Sequence, residues 1–209
     1  MIGALSSLEP ALPGFSWVAL AVAYHVLSRL AYVVVVAVAL TRQKRDRRFT
    51  RERGIEAGFR RFRRLAEAVM ANDAVSFVVL CLCSRQTLPP LLPREAVLAA
   101  GVAFILIGVG VKRWAAVSLS AGAYYWRDVF DPRAILDPVP RGPYRYLQNP
   151  MYTVGYLHSY GFALLTDSLF GLAAAVFDQA AILVFHRLVE QPHVAGLTRA
   201  EREQEPSAG

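Results

Sequence analysis

Arg141-Gly142-Pro143-Tyr144-Arg145-Tyr146-Leu147-Gln148-Asn149-Pro150-Met151-Tyr152 is a polar, proline-stiffened stretch between two strongly apolar regions. Proline lacks an N–H and fixes φ, so Pro143 and Pro150 set turns, and Pro150 suits the first position of a following helix. The apolar residues after it predict a helical hairpin over about 151–165 and 168–188, turning near Asp167. The hairpin closes on Glu190-Gln191-Pro192. A polar turn at a membrane surface, paired with a carboxylate at the far end of a hairpin, forms a cytosol-facing pocket. Such a pocket suits a charged cofactor held beside a lipid-dissolved substrate.

The rest of the chain supports the membrane setting. It has 209 residues, 55% of them apolar, and a mean hydropathy of +0.35. Soluble domains average about 45–50% apolar. Several windows reach about 20 apolar residues, the length of helix that crosses a ~30 Å hydrocarbon core. Only helices and closed barrels span a bilayer. Because the apolar runs lack strand alternation, the expected fold is all-α: a polytopic membrane protein of about five transmembrane helices. The other spans are expected at about 16–40, 65–83 and 95–120, with Pro89, Pro90 and Pro93 breaking the chain between the last two.

The net charge of +7 is concentrated. Between Arg42 and Arg64 stand 11 Lys or Arg against Asp46, Glu52 and Glu56. Between two membrane helices this reads as a cytoplasmic loop under the positive-inside rule, not as a nucleic-acid site. Counting crossings from it puts residues 84–94 and Asp167 outside. Residues 121–150 and the C-terminus then lie inside, in agreement with Arg127, Arg133, Arg141 and Arg145. Ile55, Phe59, Phe62, Leu65 and Val69 recur at helical spacing with arginines between them. They predict either an interfacial helix on anionic lipid headgroups or a cytosolic extension of the second span. Met1 to Trp17 has no basic residue before its apolar run and does not read as a cleavable signal. Cys81 and Cys83 have no metal-binding or disulfide spacing and read as packed or lipid-facing thiols.

Charges within spans are costly. Arg29 lies roughly 16 Å from the end of the first span, and Asp73 roughly 12 Å into the second, at 1.5 Å per residue. They are expected to form an intramembrane ion pair, which Asp178 could join. His25, one turn from Arg29, reads as a packing or hydrogen-bonding residue. His186 and Glu190 are four apart and share a helix face: either a solvated pair or two residues lining the pocket mouth.

Gly142-Pro143-Tyr144, Asn149-Pro150-Met151-Tyr152, the hairpin and Glu190 resemble the signature of the membrane methyltransferases. That superfamily includes isoprenylcysteine carboxyl methyltransferases and phospholipid N-methyltransferases. The resemblance covers roughly residues 105–195 of a single membrane domain, with N-terminal spans and the basic loop in 1–104 and a polar tail in 196–209. It implies an S-adenosylmethionine-dependent transferase acting on a lipid or lipid-linked acceptor, either a phospholipid amine or a prenylcysteine-like carboxylate. It places Tyr144, Arg145, Asn149, Pro150, Tyr152, Glu190 and Gln191 at the cofactor. In that setting Glu190 would attract the cofactor's amino group, and Arg145 would pair with its carboxylate. An acceptor amine must also lose a proton, and Glu190 and His186 are the catalytic candidates.

The chain departs from the pattern at Gln148 (family Arg), Asn149 (commonly His) and Gln191 (family Glu), and lacks the family's tail segment. These departures leave open an inert member of the fold acting as a membrane scaffold or partner subunit. The Ala/Arg/Val-rich composition points to a bacterial inner membrane with the C-terminus in the cytoplasm.

Overall fold

The computed structural model describes residues 16–119, 123–131 and 141–191. Residues 1–15, Arg133, Pro192 and the 196–209 tail of the sequence reading lie outside them. Five α-helices appear among the described residues: α1 (Trp17–Asp46), α2 (Gly54–Cys83), α3 (Arg94–Ser118), α4 (Leu157–Leu165) and α5 (Leu169–Phe185). A π-helical turn, His186–Glu190, extends α5. The protein is an integral membrane protein of the polytopic helical class. α1, α2, α3 and the continuous helix Leu169–Glu190 are long and apolar enough to cross a bilayer.

α1 pairs with α2, α3 pairs with α4, and α5 touches α1, α2 and α4. The bundle is thus two helix pairs bridged by α5. Polar contacts join the first pair, as suits helices whose apolar faces gain nothing by leaving lipid for each other. Tyr24 donates to Asn72 at 3.0 Å, and the His25 Nδ1–Ser76 Oγ contact is 2.9 Å. Close backbone approach joins the second pair. A Cβ added to Gly161 would lie 2.5 Å from the Gly101 carbonyl oxygen, and one at Gly108 would lie 2.4 Å from the His158 nitrogen. Both neighbours are backbone atoms and cannot swing aside. Gly161→Ala should therefore lower stability by about 1–3 kcal/mol, the usual cost of overpacking. Thermal unfolding in detergent checks this; unchanged stability would mean that α3 and α4 can separate freely.

Two readings were open for the basic segment, and one expectation needs correction. α2 runs unbroken from Gly54 to Cys83, so its first three turns extend the second span and are not a separate helix. Its apolar face turns inward: Phe59, Phe62 and Ala66 are buried in a cluster with Phe130, Phe185 and Ile182. Phe62 stacks near Phe130 at 4.9 Å and meets Trp126 edge-on at 6.1 Å. Burying those rings against protein removes more apolar surface from water than half-immersing them at a headgroup layer.

The fourth passage starts later than Met151. Residues 151–153 are a turn and Val154–Tyr156 a 3₁₀ turn, so α4 itself has nine residues. The 12 helical residues from Val154 to Leu165 rise roughly 18 Å, too little to cross alone. The Pro150 carbonyl is taken by the Gly155 N–H at 2.8 Å, which closes a turn where a helix could have begun. Irregular backbone at bilayer depth is tolerated only where protein or a cavity surrounds it, and a cavity does so here.

The two ends of the bundle agree with the counted crossings. At one end the hairpin turn meets the α2–α3 loop: Thr87 and Leu88 N–H groups donate to the Asp167 carbonyl at 2.9 Å, and Arg94 pairs with the Asp167 carboxylate. At the other end Arg127 pairs with Glu56, tying the α3–α4 connector to the start of α2.

Candidate active site

Two cavities border the α3–α4 connector. The larger, about 400 Å³, lies between the two helix pairs with α5 behind it. Its walls include Arg29, Asp73, Lys112, Trp126, Tyr152, Tyr156, His158 and Asp178. The smaller, about 220 Å³, is lined by Leu40, Thr41, Lys44, Trp126, Val129, Leu188, Val189 and Glu190. Trp126 belongs to both walls. Glu190 lines the smaller cavity, and Tyr152, which lines the larger, bonds to it. The Trp126–Glu190–Tyr152 unit is the partition.

That partition is tightly made. Glu190 Oε1 accepts from Trp126 Nε1 at 2.7 Å and from Tyr152 OH at 2.8 Å. His186 Nδ1 lies 2.5 Å from Glu190 Oε2. A carboxylate has about four acceptor positions, so three partners leave room for one more donor. Trp126 holds a left-handed conformation with φ 55°, costly for a side chain with a Cβ. Its indole bond to Glu190 and edge-on contact with Phe185 at 5.7 Å hold it there. Such strain concentrates at functional sites, as do π-turns inside α-helices.

The α3–α4 connector is fixed from both sides. Gly142, at φ 55°, packs so closely on the end of α3 that a Cβ would fall 2.0 Å from Ser118 Oγ. On the other side Gln179 of α5 donates to the carbonyls of Tyr152 and Thr153 at 3.0 and 3.2 Å, while Tyr160 donates to Gln179 at 2.7 Å. These bonds satisfy backbone groups that the broken helix leaves open.

Deeper in the larger cavity lies the buried charge cluster. Arg29 Nη2 is 2.7 Å from Asp73 Oδ2, and Arg29 Nε is 2.7 Å from Asp178 Oδ1. The expected Arg29–Asp73 pair forms, and Asp178 joins it. Arg29 also donates to Tyr156 OH at 3.3 Å. His25 Nε2 sits 3.2 Å from Asp178 but out of hydrogen-bond alignment.

The sequence-derived site residues divide. Tyr152, Glu190 and His186 come together, and Tyr144 is near enough to Glu190 to sense its charge. Burial, then that negative charge, pushes the Tyr144 hydroxyl up to about 12, so it stays a neutral donor at neutral pH. Pro150 is buried and positions the turn. Asn149 serves through its carbonyl, which accepts from the Tyr152 and Thr153 N–H groups at 3.1 and 3.0 Å. Arg145, Gln148 and Gln191 are exposed and line neither cavity. His186 lines neither cavity and reaches the site through Glu190 and through the Tyr152 ring, 5.7 Å away. In sequence, Trp126 beside Tyr124, Tyr125 and Arg127 reads as a membrane-interface aromatic, and Lys112 with Arg113 as the end of the membrane part of the third span. Lys44 was one charge among 11 in the basic segment, and Gln179 drew no attention. Only the intramembrane position of a lysine or glutamine was a usable signal.

With this geometry in view, similarity to known proteins becomes informative. The family model described as phospholipid methyltransferase matches residues 96–197. Over that segment, just under half of the chain, the sequence is similar to that family. Phosphatidylethanolamine N-methyltransferases of Candida albicans (strain WO-1) and Emericella nidulans are similar to it, 30% identical over 148 residues and 32% over 143. A namesake from Lodderomyces elongisporus is 29% identical over 142 residues. Each similarity covers 64% of this chain but only 14–16% of the relative. The chain thus spans about one-sixth of the length of the curated relatives it matches. No solved structure matches it.

Proposed function

We propose that the protein is a membrane methyltransferase that moves the methyl group of S-adenosylmethionine onto the amine of a phospholipid headgroup. The observation that carries this reading is the Trp126–Glu190–Tyr152 partition between a cavity beside the basic end of α1 and one reaching into the bundle. The residues fit the cofactor. Glu190 keeps an acceptor position for an ammonium group, Lys44 in the same cavity wall can face a carboxylate, and the Trp126 and Tyr152 rings offer faces to a cation. Lys44, not Arg145, takes the carboxylate role in this reading.

When bound, S-adenosylmethionine supplies an electrophilic methyl group. The residues of the chain need to align the acceptor and exclude water. Gln179 and Gly142 hold the connector, Trp126 and Tyr152 shield the partition, and His186 orients Glu190. The exposed positions of Gln148 and Gln191 keep those departures away from both cavities, so the inert-scaffold reading is not favoured. We place the basic end, with Arg60, Arg61 and Arg64 exposed, in the cytosol against anionic headgroups, and the π-turn on that side. The named relatives are fungal and lend no support to a bacterial inner membrane.

The test is transfer of an isotopically labelled methyl group from S-adenosylmethionine to phosphatidylethanolamine in nanodiscs. Labelled monomethyl lipid is the expected result. Folded protein that neither binds cofactor at about millimolar concentration nor labels any lipid would refute the proposal.

A further inference from the structure

The larger cavity contains two polar groups that the fold itself does not pair. Asp73, 6% exposed, uses Oδ2 on Arg29, while its Oδ1 has no hydrogen-bond partner among the described residues. Lys112, on the opposite helix pair, has one polar contact among the described residues: its ammonium sits over the Tyr156 ring, 5.0 Å from the centroid. The Asp73–Arg29–Asp178 cluster holds two carboxylates against one guanidinium. An unsatisfied acceptor and an unpaired cation at bilayer depth each carry a desolvation cost that a complementary ligand would relieve. Asp73 and Lys112 line the same cavity and lie within each other's field.

The complement of a carboxylate oxygen without a hydrogen bond and an ammonium without an ion pair, both lining one cavity, is a zwitterion. Two candidates carry that chemistry: the amino-acid end of the cofactor and the headgroup of an aminophospholipid. The walls favour the lipid. Val78 of α2 and Val109 of α3 line the cavity and are also 39% and 50% exposed on the bundle's apolar flank. Acyl chains therefore have a way out between α2 and α3, which belong to different helix pairs. The cofactor already has an acceptor in Glu190 on the other side of the partition.

We infer that this cavity binds a zwitterionic phospholipid headgroup, its ammonium on Asp73 and its phosphate on Lys112. The site resides mostly in the two N-terminal spans and α3, away from the connector signature. It rests on the proposed methyltransferase reading only in giving the bound amine a reaction; the binding itself does not require catalysis. Asp73 then selects for an amine-bearing headgroup, and Lys112 for a phosphate.

Binding without cofactor tests this directly. Detergent-purified protein would be titrated with short-chain phosphatidylethanolamine, short-chain phosphatidylglycerol and a simple alkylamine, using native mass spectrometry. The wild type should prefer phosphatidylethanolamine over phosphatidylglycerol by about tenfold. Asp73→Asn keeps an oxygen for Arg29 and should erase that preference. Lys112→Gln does not touch the ion cluster; it should weaken both phospholipids by about tenfold and leave the alkylamine unchanged. Neither substitution should move S-adenosylmethionine affinity by more than about twofold. Absence of a headgroup preference in the wild type would overturn the inference. So would variants that lose S-adenosylmethionine and keep lipid, since the zwitterion would then be the cofactor's. If Asp73→Asn does not fold, Lys112→Gln alone decides. A protein that selects phosphatidylethanolamine but never binds S-adenosylmethionine would retain this site and lose the methyltransferase reading.

Discussion

Arg29→Met is expected to prevent the bundle from folding stably. The substitution roughly keeps the side-chain length but strands Asp73 and Asp178, 6% and 2% exposed, without the guanidinium they share. Removing one partner of a buried ion pair costs about 3–5 kcal/mol. Here two carboxylates lose the same partner, and Tyr156 loses a donor. A loss of that size is comparable to the whole stability of many domains, about 5–15 kcal/mol. Size-exclusion chromatography and thermal unfolding in detergent give the readout: aggregated or low-melting Arg29→Met protein. The triple variant Arg29→Met/Asp73→Asn/Asp178→Asn removes the stranded charges and should recover most of the loss. A single variant as stable as the wild type would show that the cluster bears no structural load. A triple variant as unstable as the single would show that packing around the guanidinium, not its charge, matters.

Glu190→Ala should weaken S-adenosylmethionine binding by at least about 100-fold, or about 2.7 kcal/mol. Among the described residues the carboxylate is the one acceptor that Trp126 and Tyr152 share. Hydrogen bonds to a charged group contribute about 1.5–3 kcal/mol each. Its loss frees Trp126 to leave the left-handed conformation and joins the two cavities. Glu190→Gln keeps an oxygen for both donors but drops the charge, so it should fall between alanine and the wild type. Because Glu190 sits at the half-buried end of the bundle, both variants should fold. Calorimetry on the purified proteins decides it, and an alanine variant with unaltered affinity would remove Glu190 from the cofactor site. The same variant should also lower the Tyr144 titration from about 12, because burial would act without the neighbouring negative charge. Ultraviolet difference titration follows that shift.

Much of the architecture was legible in linear order. Long apolar runs, the prolines at 89–93 and the basic segment located the long helices and which connectors share an end of the bundle. Depth counting also found the Arg29–Asp73 pair, because a helix converts residue number into distance at a fixed rise. Where backbone hydrogen bonding departs from the regular helix, the reading was wrong. It extended the fourth helix back to Met151 and had no signal for the π-turn at 186–190. The late start of α4 goes with Gln179 and Gly155, partners that are distant in sequence or too small to show a pattern. Phe59 and Phe62 show the same limit: helical spacing identified their common face but not whether lipid or protein would cover it.

The sequence by itself determined a helical membrane protein and the order of its long helices, and it pointed to the Gly142–Tyr152 connector and Glu190 as the place to look for a site. Hydrophobic length, helical rise and charge asymmetry act along the chain, so they can be read from it. Only the tertiary structure decided that Trp126, Tyr152 and His186 share the Glu190 carboxylate, and that Lys44 faces the same cavity. It also decided that Arg145 and Gln191 stand apart, and that Lys112 and Asp73 line one chamber from opposite helix pairs. Those relations arise from how two helix pairs close on α5, which is set by packing across the bundle and leaves no periodic trace in any one segment.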